Sequence, residues 1–348
     1  MALLMRKHTV GKPARAWMII GMANSLQAFR SQSRPQSNDA DSDEEHNSRC
    51  YWSIFILGKA FSHHSGTFGE NKNAPDYPPS APWPPPLCAD NNGPVVDPSN
   101  EEGLRDPGIL PHYIELISMW GDACSYLQEP RQSKAESLWL PDSTGTKLSR
   151  QMYDCEARLS PRHFLRNVAF TRRSVSELLE HQEYWASWAL IQIAFHAVPS
   201  ILNHPFLHLV TTHDSNRAPK SRVFLQQTVD TALYNSGWVA RLLRIFDHLP
   251  FEFTNPLVGH MVAGTATVLW FFQFARDIKV SRQASKDLDQ CERFLERMST
   301  KWPHIAQKVC CSSLTYLTDL SSLCPANAEL MRIAPTTPRS QSRRPRSP

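Results

Sequence analysis

Apolar residues recur every three or four positions in several separate segments of the chain, which is the period of an α-helix. Between Ile109 and Leu127 they are spaced four, three, four, four and three apart. No alternating apolar and polar run of useful length occurs, so the predicted fold class is all-α, a multi-helix domain. The predicted helices cover residues 13–30, 43–61, 109–127, 148–159, 175–198, 220–248, 256–276, 283–299 and 303–323.

Local signals mark the ends of several of these helices. Ser174 followed by Glu177 forms a capping box in front of the helix predicted at 175–198. Three acidic residues at 43–45 lie in the first turn of the helix predicted at 43–61, where negative charge stabilises the unpaired amides of a helix start. The apolar stripe of this second helix, which we expect to be buried, consists of Cys50, Ile54, Leu57 and Phe61.

Proline and polar residues separate the helical segments. Eleven of the 27 prolines fall between Pro75 and Pro111, a density that excludes helix and favours an extended, polyproline-like path. A loop of that length, 75–111, is either functional or held in place by its aromatic residues, Tyr77 and Trp83. From Pro335 onward the composition is Thr, Pro, Ser, Gln and Arg, which predicts a disordered basic tail over 335–348.

Composition and charge narrow the range of partners. Hydrophobic residues make up 41% of the chain, which is enough for a substantial core. Lys and Arg total 37 against 33 acidic residues, and four of the arginines lie in the tail, so the rest of the chain has 33 of each sign. A neutral body argues against a broad phosphate-binding surface, because such surfaces depend on clustered Lys and Arg.

Two long uncharged stretches raise the question of a membrane. Residues 184–213 and 256–275 contain no Asp, Glu, Lys or Arg. The first is interrupted by Pro199 and Pro205, and the second carries Gly259, His260 and Gly264. We interpret both as central helices of a core rather than as membrane spans, and expect no membrane partner.

Motifs for catalysis and metal binding are absent from the sequence. The eight cysteines are scattered, and no two have the two-residue separation of a zinc cluster, so we interpret them as reduced, buried thiols. His204 and His208 are four residues apart, but Pro205 interrupts the turn and no Glu lies between them. No nucleophile elbow, phosphate loop or dinucleotide fingerprint occurs. We therefore expect no catalytic, cofactor-binding or metal-ligating residue, and a protein that is not an enzyme.

One helix and the loop after it resemble a known family. The helix contains Ser48-Arg49-Cys50-Tyr51-Trp52-Ser53, and the loop contains Asp76-Tyr77-Pro78. Together they resemble the middle homology region of fungal zinc-cluster transcription factors, whose helix pattern is Arg-Arg-x-(Phe/Trp)-Trp and ends in Asp-Arg. Ser48 stands in place of the first Arg, and Gly58-Lys59 in place of Asp-Arg. The resemblance covers residues 11 to about 325, and its specific part is confined to 11–86.

This resemblance implies a function and a set of partners. It implies that residues 1–330 form an N-terminally truncated regulatory domain of a transcription regulator in the nucleus, controlling a pathway-specific gene set. Its partners would be a transcription factor, in a homo- or heterodimer, and a small-molecule effector in a cavity among its helices. The residues that we expect to line this cavity, with core packing as their alternative role, are Trp185, Trp188, Phe195, Trp270, Phe271 and Phe272.

The family's six-cysteine DNA-binding zinc cluster is not found in this sequence. Either an exon upstream of Met1 encodes it, or the protein acts on DNA only through a partner, and zinc is expected only in such a cluster. The tail arginines predict a nuclear localisation signal, with an ordinary basic tail as the alternative: Arg339, Arg343, Arg344 and Arg346. The alternative to a transcriptional role is a helical ligand-binding protein or enzyme of the cytoplasm.

Overall fold

The all-α prediction is confirmed. The computed structural model describes residues 13–32, 40–61, 74–84, 106–128, 140–205, 222–248 and 251–305, and these ranges contain helices and no strand. The α-helices are α1 (Pro13–Gln32), α2 (Ala40–Phe61), α3 (Ile109–Gln128), α4 (Thr144–Arg158), α5 (Leu165–Val168), α6 (Val175–Glu180), α7 (Gln182–Leu202), α8 (Arg222–Asp247), α9 (Pro256–Phe272) and α10 (Ile278–Lys301). Two 3-10 turns, Pro161–His163 and Phe170–Arg172, flank α5.

Helix α7 lies at the centre of the packing. It contacts α3, α4, α6, α8 and α9, so apolar side chains are needed on nearly all of its faces. It is also the helix of the described ranges that is long and apolar enough to cross a membrane, and 67% of its apolar window is buried inside the protein. A helix at the centre of a helical core has the same composition, which agrees with the core interpretation of residues 184–213 as far as α7 covers them, to Leu202.

Caps and breaks refine the predicted helix ends. The capping box is present, since Ser174 Oγ accepts from the Glu177 N–H at 3.3 Å and Glu177 Oε2 accepts from the Ser174 N–H at 2.9 Å. However, the single helix predicted at 175–198 is wrong: the chain breaks at His181, whose φ of −108° and ψ of 34° are not helical, and α7 continues to Leu202. Asp277 starts α10 by accepting from the Lys279 N–H at 2.8 Å.

The buried face of α2 differs in part from its prediction. Leu57 and Phe61 are buried as expected, but Cys50 is exposed. The face that is covered near the middle of the helix carries Ser48 and Trp52 instead. The apolar period placed the face correctly at the C-terminal end only, because further back a loop covers the side of α2 that carries Ser48 and Trp52.

That loop is the described part of the proline-rich segment. Residues 74–84, which we call the strap, form neither helix nor strand, and residues 106–108 lead into α3. The loop ends at Gly108 and not at residue 111, because Pro111 lies in the first turn of α3, where a missing N–H costs no hydrogen bond. Residues 85–105, most of the helix predicted at 303–323, and the tail at 335–348 lie outside the described residues.

Candidate functional site

The two halves of the family-like motif contact each other. The Trp52 indole N–H donates to the Asp76 carbonyl oxygen at 3.1 Å, and the Ser48 hydroxyl donates to the same oxygen at 2.5 Å. The Trp52 ring stacks on Tyr77, with centroids 4.6 Å apart and planes 27° apart. A helix and a loop that are separated in the sequence therefore form one packing unit, in which α2 holds the strap.

The end of this helix is fixed to α3 by charge and by close approach. Lys59 Nζ lies 2.7 Å from Asp122 Oδ1. At Gly121 an added Cβ would lie 2.5 Å from the Lys59 carbonyl oxygen, so only glycine allows the two backbones to come this close. Lys59 thus finds its acidic partner on α3, whereas the family pattern places an acidic residue next to the arginine in the same helix.

A buried polar chain anchors the segment just before α3. Asp106 Oδ2 lies 3.2 Å from His163 Nε2, and His163 Nδ1 lies 2.9 Å from the Tyr184 hydroxyl oxygen. The Trp188 indole N–H donates to the His163 carbonyl oxygen at 2.8 Å. Burial alone would raise the pKa of Asp106, but the contacts with His163 and the Gly108 N–H keep that pKa below its ordinary value. Tyr184 and His163 are buried, so this chain is suited to hold the fold together and not to attack a substrate.

Another polar cluster lies between α3 and α4. His112 Nδ1 is 4.0 Å from Cys155 Sγ, and the donor atoms of His112, Glu115 and Cys155 all lie within 4.8 Å of one another. Glu115 also pairs with Arg158 through two contacts of 2.8 and 3.0 Å. Burial and the nearby Glu115 raise the pKa of Cys155 to about 12, and burial lowers the pKa of His112. A neutral thiol beside a neutral imidazole is not an activated nucleophile.

A groove of about 630 Å³ lies between α4, α5, α7 and α8. Its rim carries two carboxylates, Glu156 and Asp230, and no Lys or Arg of the described residues lines it. We call it the acidic groove. Apolar side chains of the lining include Met152, Leu165 and Phe195, and polar side chains also line the groove, among them Gln192, His196, Thr231 and Asn235.

His196 is the most constrained polar group of the acidic groove. Its Nδ1 lies 3.0 Å from Asn235 Oδ1, and Asn235 in turn donates to the Thr231 carbonyl oxygen at 2.8 Å. Desolvation lowers the pKa of His196, against the opposing effects of Asn235 and Glu156, so the imidazole is neutral at pH 7. A neutral imidazole and an amide can each donate to or accept from a ligand.

A second groove, of about 570 Å³, lies on the other side of α8, between α8 and α10. Its floor is apolar, and we call it the basic groove because its rim carries Arg241, Arg244 and Lys279. Arg244 Nη1 lies 2.8 Å from Oδ1 of Asp287, whose side chain is only 5% exposed. The Arg241 guanidinium lies 4.5 Å from the centroid of the Trp238 ring.

Helix α8 connects the two grooves through its aromatic residues. Tyr234 lines both of them. Trp238 lines the basic groove, and its ring is stacked with that of His196 in the acidic groove, with centroids 5.4 Å apart and planes 8° apart. A ligand in either groove that displaced a residue in contact with Trp238 would therefore change the surroundings of its ring.

The six residues predicted to line one cavity are not brought together. Trp185 and Trp188 are fully buried and pack edge to face with ring centroids 5.4 Å apart, so core packing, the alternative role, describes them. Phe271 and Phe272 belong to a separate buried cluster between α8, α9 and α10, and Trp270 packs against the main core. Only Phe195 of the six lines one of the two grooves. Hydrophobicity indicates which residues are buried, but not whether they pack against other side chains or line a cavity.

The structure places some of the other residues that the sequence analysis considered. His204 Nε2 lies 3.1 Å from the Thr267 hydroxyl oxygen, which gives it a structural partner, while His208 lies outside the described residues. Arg339, Arg343, Arg344 and Arg346 also lie outside them. Of the cysteines in the described ranges, Cys155 and Cys291 are buried, as expected, whereas Cys124 is half-buried and Cys50 is exposed.

Sequence reasoning missed the groove residues of α4 and α8 and the His112–Glu115–Cys155 cluster. His112 and Glu115 are three positions apart on a helix, which is a visible signal, but nothing in the sequence connects them to Cys155. Comparisons of the chain with protein-family models, with curated proteins and with solved structures found no match.

Proposed function

We propose that this chain is a ligand-responsive regulatory domain that acts on transcription in the nucleus, through a transcription-factor partner. The observation that carries the proposal is the contact of Ser48 and Trp52 with Asp76 and Tyr77. The resemblance rests on a helix pattern and a loop pattern, and a chance match of letters would not require the two segments to pack together. The all-helical fold supports the same interpretation.

The acidic groove is the effector site of this proposal. Its volume lies within the range of about 300–1,000 Å³ that is usual for small-molecule sites. Apolar walls with a few convergent polar groups are also usual for such sites. Because Glu156 and Asp230 lie on its rim, the ligand that fits best has an apolar body and a cationic or hydrogen-bond-donating group.

Helix α8 is the element through which such a ligand would act. It forms walls of both grooves and packs against α7, α9 and α10. A ligand shifts the protein between two packings of these helices only if it binds one packing more tightly than the other. The change then reaches the surface that a partner contacts, and DNA is affected only indirectly.

A reporter assay with groove-filling variants tests the proposal without a known effector. The chain is fused to an unrelated DNA-binding domain and produced in a fungal host, and Thr231→Tyr places a ring in the acidic groove. We expect reporter output to change by at least about fivefold, the lower end of usual coupling between sites. Gln227→Tyr is the matched control, because it adds the same ring one turn earlier on an exposed part of α8.

Localisation separates this function from its alternative. The chain carrying a fluorescent tag is expected in the nucleus, and replacing the four tail arginines by alanine is expected to lower the nuclear fraction. Exclusion from the nucleus that deletion of 335–348 does not change, together with equal reporter output from both tyrosine variants, would favour a cytoplasmic ligand-binding protein or enzyme. Direct DNA binding by the chain in a gel-shift titration would contradict the indirect mode of action.

A further inference from the structure

The cluster between α3 and α4 contains a buried side chain that the rest of the fold leaves without a hydrogen bond. His112 is buried, and within the described part of the chain its Nε2 has no hydrogen-bond partner. Its Nδ1 faces only the Cys155 sulfur, at 4.0 Å, which is at the limit of a weak contact. Nδ1 is the ring nitrogen that faces the cluster, so a metal ion bound there would replace a weak sulfur contact and not a strong hydrogen bond.

The groups around His112 are those that bind a transition-metal ion. His112 and Glu115 lie three positions apart on one face of α3, and Cys155 comes from the facing side of α4. Imidazole nitrogen, thiolate sulfur and carboxylate oxygen are the usual protein ligands of Zn²⁺. Calcium and magnesium prefer oxygen ligands only, so the donor set excludes them.

We propose that His112, Glu115 and Cys155 bind one Zn²⁺ ion, with water in the fourth position. Tetrahedral zinc with its usual bond lengths holds a nitrogen and a sulfur ligand about 3.6 Å apart. The present separation of His112 Nδ1 and Cys155 Sγ, 4.0 Å, needs to close by only a few tenths of an ångström. Glu115 is half-buried and gives the site a side that faces solvent, through which water and the ion enter.

Arg158 competes with the ion. Its guanidinium holds both oxygens of Glu115, at 2.8 and 3.0 Å, and repels a cation placed between the three ligands. Arg158 is 57% exposed, so its side chain has room to turn into solvent when zinc takes Glu115. Binding also replaces the thiol proton of Cys155, which is released to the buffer as the zinc–sulfur bond forms.

A titration of the purified full-length chain with Zn²⁺ against a chelator tests the site, and the number of ions retained after dialysis gives the stoichiometry. We expect one ion per chain, and a thiolate-to-metal absorption band when Co²⁺ replaces Zn²⁺. Cys155→Ser and His112→Gln are each expected to weaken binding by about 100-fold or more, since loss of an outer hydrogen-bond partner alone costs about 10- to 100-fold. Cys291→Ser is the matched control, because Cys291 is also a fully buried thiol.

Arg158→Gln is expected to change the zinc affinity in the opposite direction. Because Arg158 lies at the surface, this test does not require the variants with substitutions in the core to fold. We expect it to tighten zinc binding about 3- to 10-fold, because the competing ion pair and the repulsion both disappear. Arg150→Gln, an exposed arginine two turns earlier on α4, makes the same change of net charge and should have no comparable effect.

The proposal is overturned if the folded wild-type chain binds no zinc in the presence of the chelator. It is also overturned if Cys155→Ser and His112→Gln retain the ion, or if Arg158→Gln binds no more tightly than Arg150→Gln. None of these results depends on the transcriptional role, because each measures the ion on the isolated chain.

Discussion

The two grooves that flank α8 have similar size and opposite charge. The acidic groove, about 630 Å³, carries Glu156 and Asp230, whereas the basic groove, about 570 Å³, carries Arg241, Arg244 and Lys279. The charged groups of the two grooves also differ in their partners. Arg244 is paired with a buried aspartate and Arg241 lies over Trp238, while neither carboxylate of the acidic groove has a cation at ion-pair distance among the described residues.

This difference separates a structural role from a binding role. Arg244 is paired with Asp287 of the neighbouring helix α10 and so holds α8 against it, and a ligand that paired with Arg244 would have to displace Asp287. Carboxylates without a cationic partner can bind a ligand with no such loss. Of two grooves that are alike in size, the acidic one is therefore better suited to bind an effector, and each of the following experiments tests that distinction.

The largest expected effect is on stability, and it compares one aspartate from each groove. Asp287→Ala removes the acceptor of Arg244 at 2.8 Å and of Gln283 at 3.1 Å, in a place where the carboxylate is almost fully buried. We expect the free energy of unfolding to fall by about 2 kcal/mol, a value below that of a fully buried pair because Arg244 stays partly in water.

Asp230→Ala is the counterpart in the acidic groove. Asp230 is exposed, and its one side-chain partner within the described ranges is Gln226 of the same helix, which donates at 2.9 Å, so the expected loss is below about 0.5 kcal/mol. Urea unfolding of both variants measures the difference. Equal losses of unfolding free energy would contradict the distinction between a groove whose charges hold two helices together and a groove whose charges are available to a ligand.

The next effect concerns ligand charge. We expect an amphipathic amine such as 4-phenylbutylamine to bind the wild-type chain. The double variant Glu156→Gln/Asp230→Asn should weaken that binding about tenfold, since the two exposed charges contribute about 0.7 kcal/mol each. Calorimetric titration measures the affinity. The anionic analogue 4-phenylbutyrate is the control ligand, and its binding should not weaken in the double variant; an unchanged amine affinity would show that the rim carboxylates do not take part.

A smaller effect is the pH dependence of stability. Desolvation lowers the pKa of His196 below its ordinary value of 6.5, so the unfolded chain binds more protons than the folded one once the pH falls to that value. Stability therefore falls on acidification through pH 6.5, by at most about 1.4 kcal/mol per pH unit for one site. His196→Gln should make the dependence of the unfolding free energy on pH less steep, whereas His248→Gln, at an exposed position just after α8, should not.

The smallest effect is optical. Protonation of His196 places a positive charge against the stacked Trp238 ring, so part of the tryptophan fluorescence should decrease on acidification. The difference between wild-type and Trp238→Phe spectra isolates this contribution, and His196→Gln should abolish its pH dependence. A difference spectrum that does not change with pH would contradict the stacking of these two rings in solution.

The presence of helices could be predicted from the sequence, because it depends on the spacing of apolar residues over a few turns. The period of apolar residues predicted α3 and α4 closely, and the Ser174–Glu177 capping box was predicted correctly even though the helix behind it was not. The sequence around the break at His181 contains no proline or glycine that would predict it. The exposure of Cys50 depends on which side of α2 the strap covers, and periodicity within one helix does not contain that information.

The grooves depend on the relative placement of helices that are far apart in the sequence. Phe195 was the one predicted lining residue that reached a groove, because α4, α5 and α8 supply the rest of that wall. The His112–Glu115–Cys155 cluster shows the same limit: His112 and Glu115 are visible as neighbours on one helix, and Cys155 joins them only when α3 packs on α4.

The close approach of α2 and α3 at Gly121 offers a position for a temperature-sensitive mutation. Gly121→Ala would place a methyl group 2.5 Å from the Lys59 carbonyl oxygen, a backbone atom that cannot turn aside, so α2 and the strap that it holds must move as a body. A strain that carries this single change is expected to grow normally in the cold and to lose the function on warming. Such a conditional allele would report what the cell does without the protein before any effector is identified.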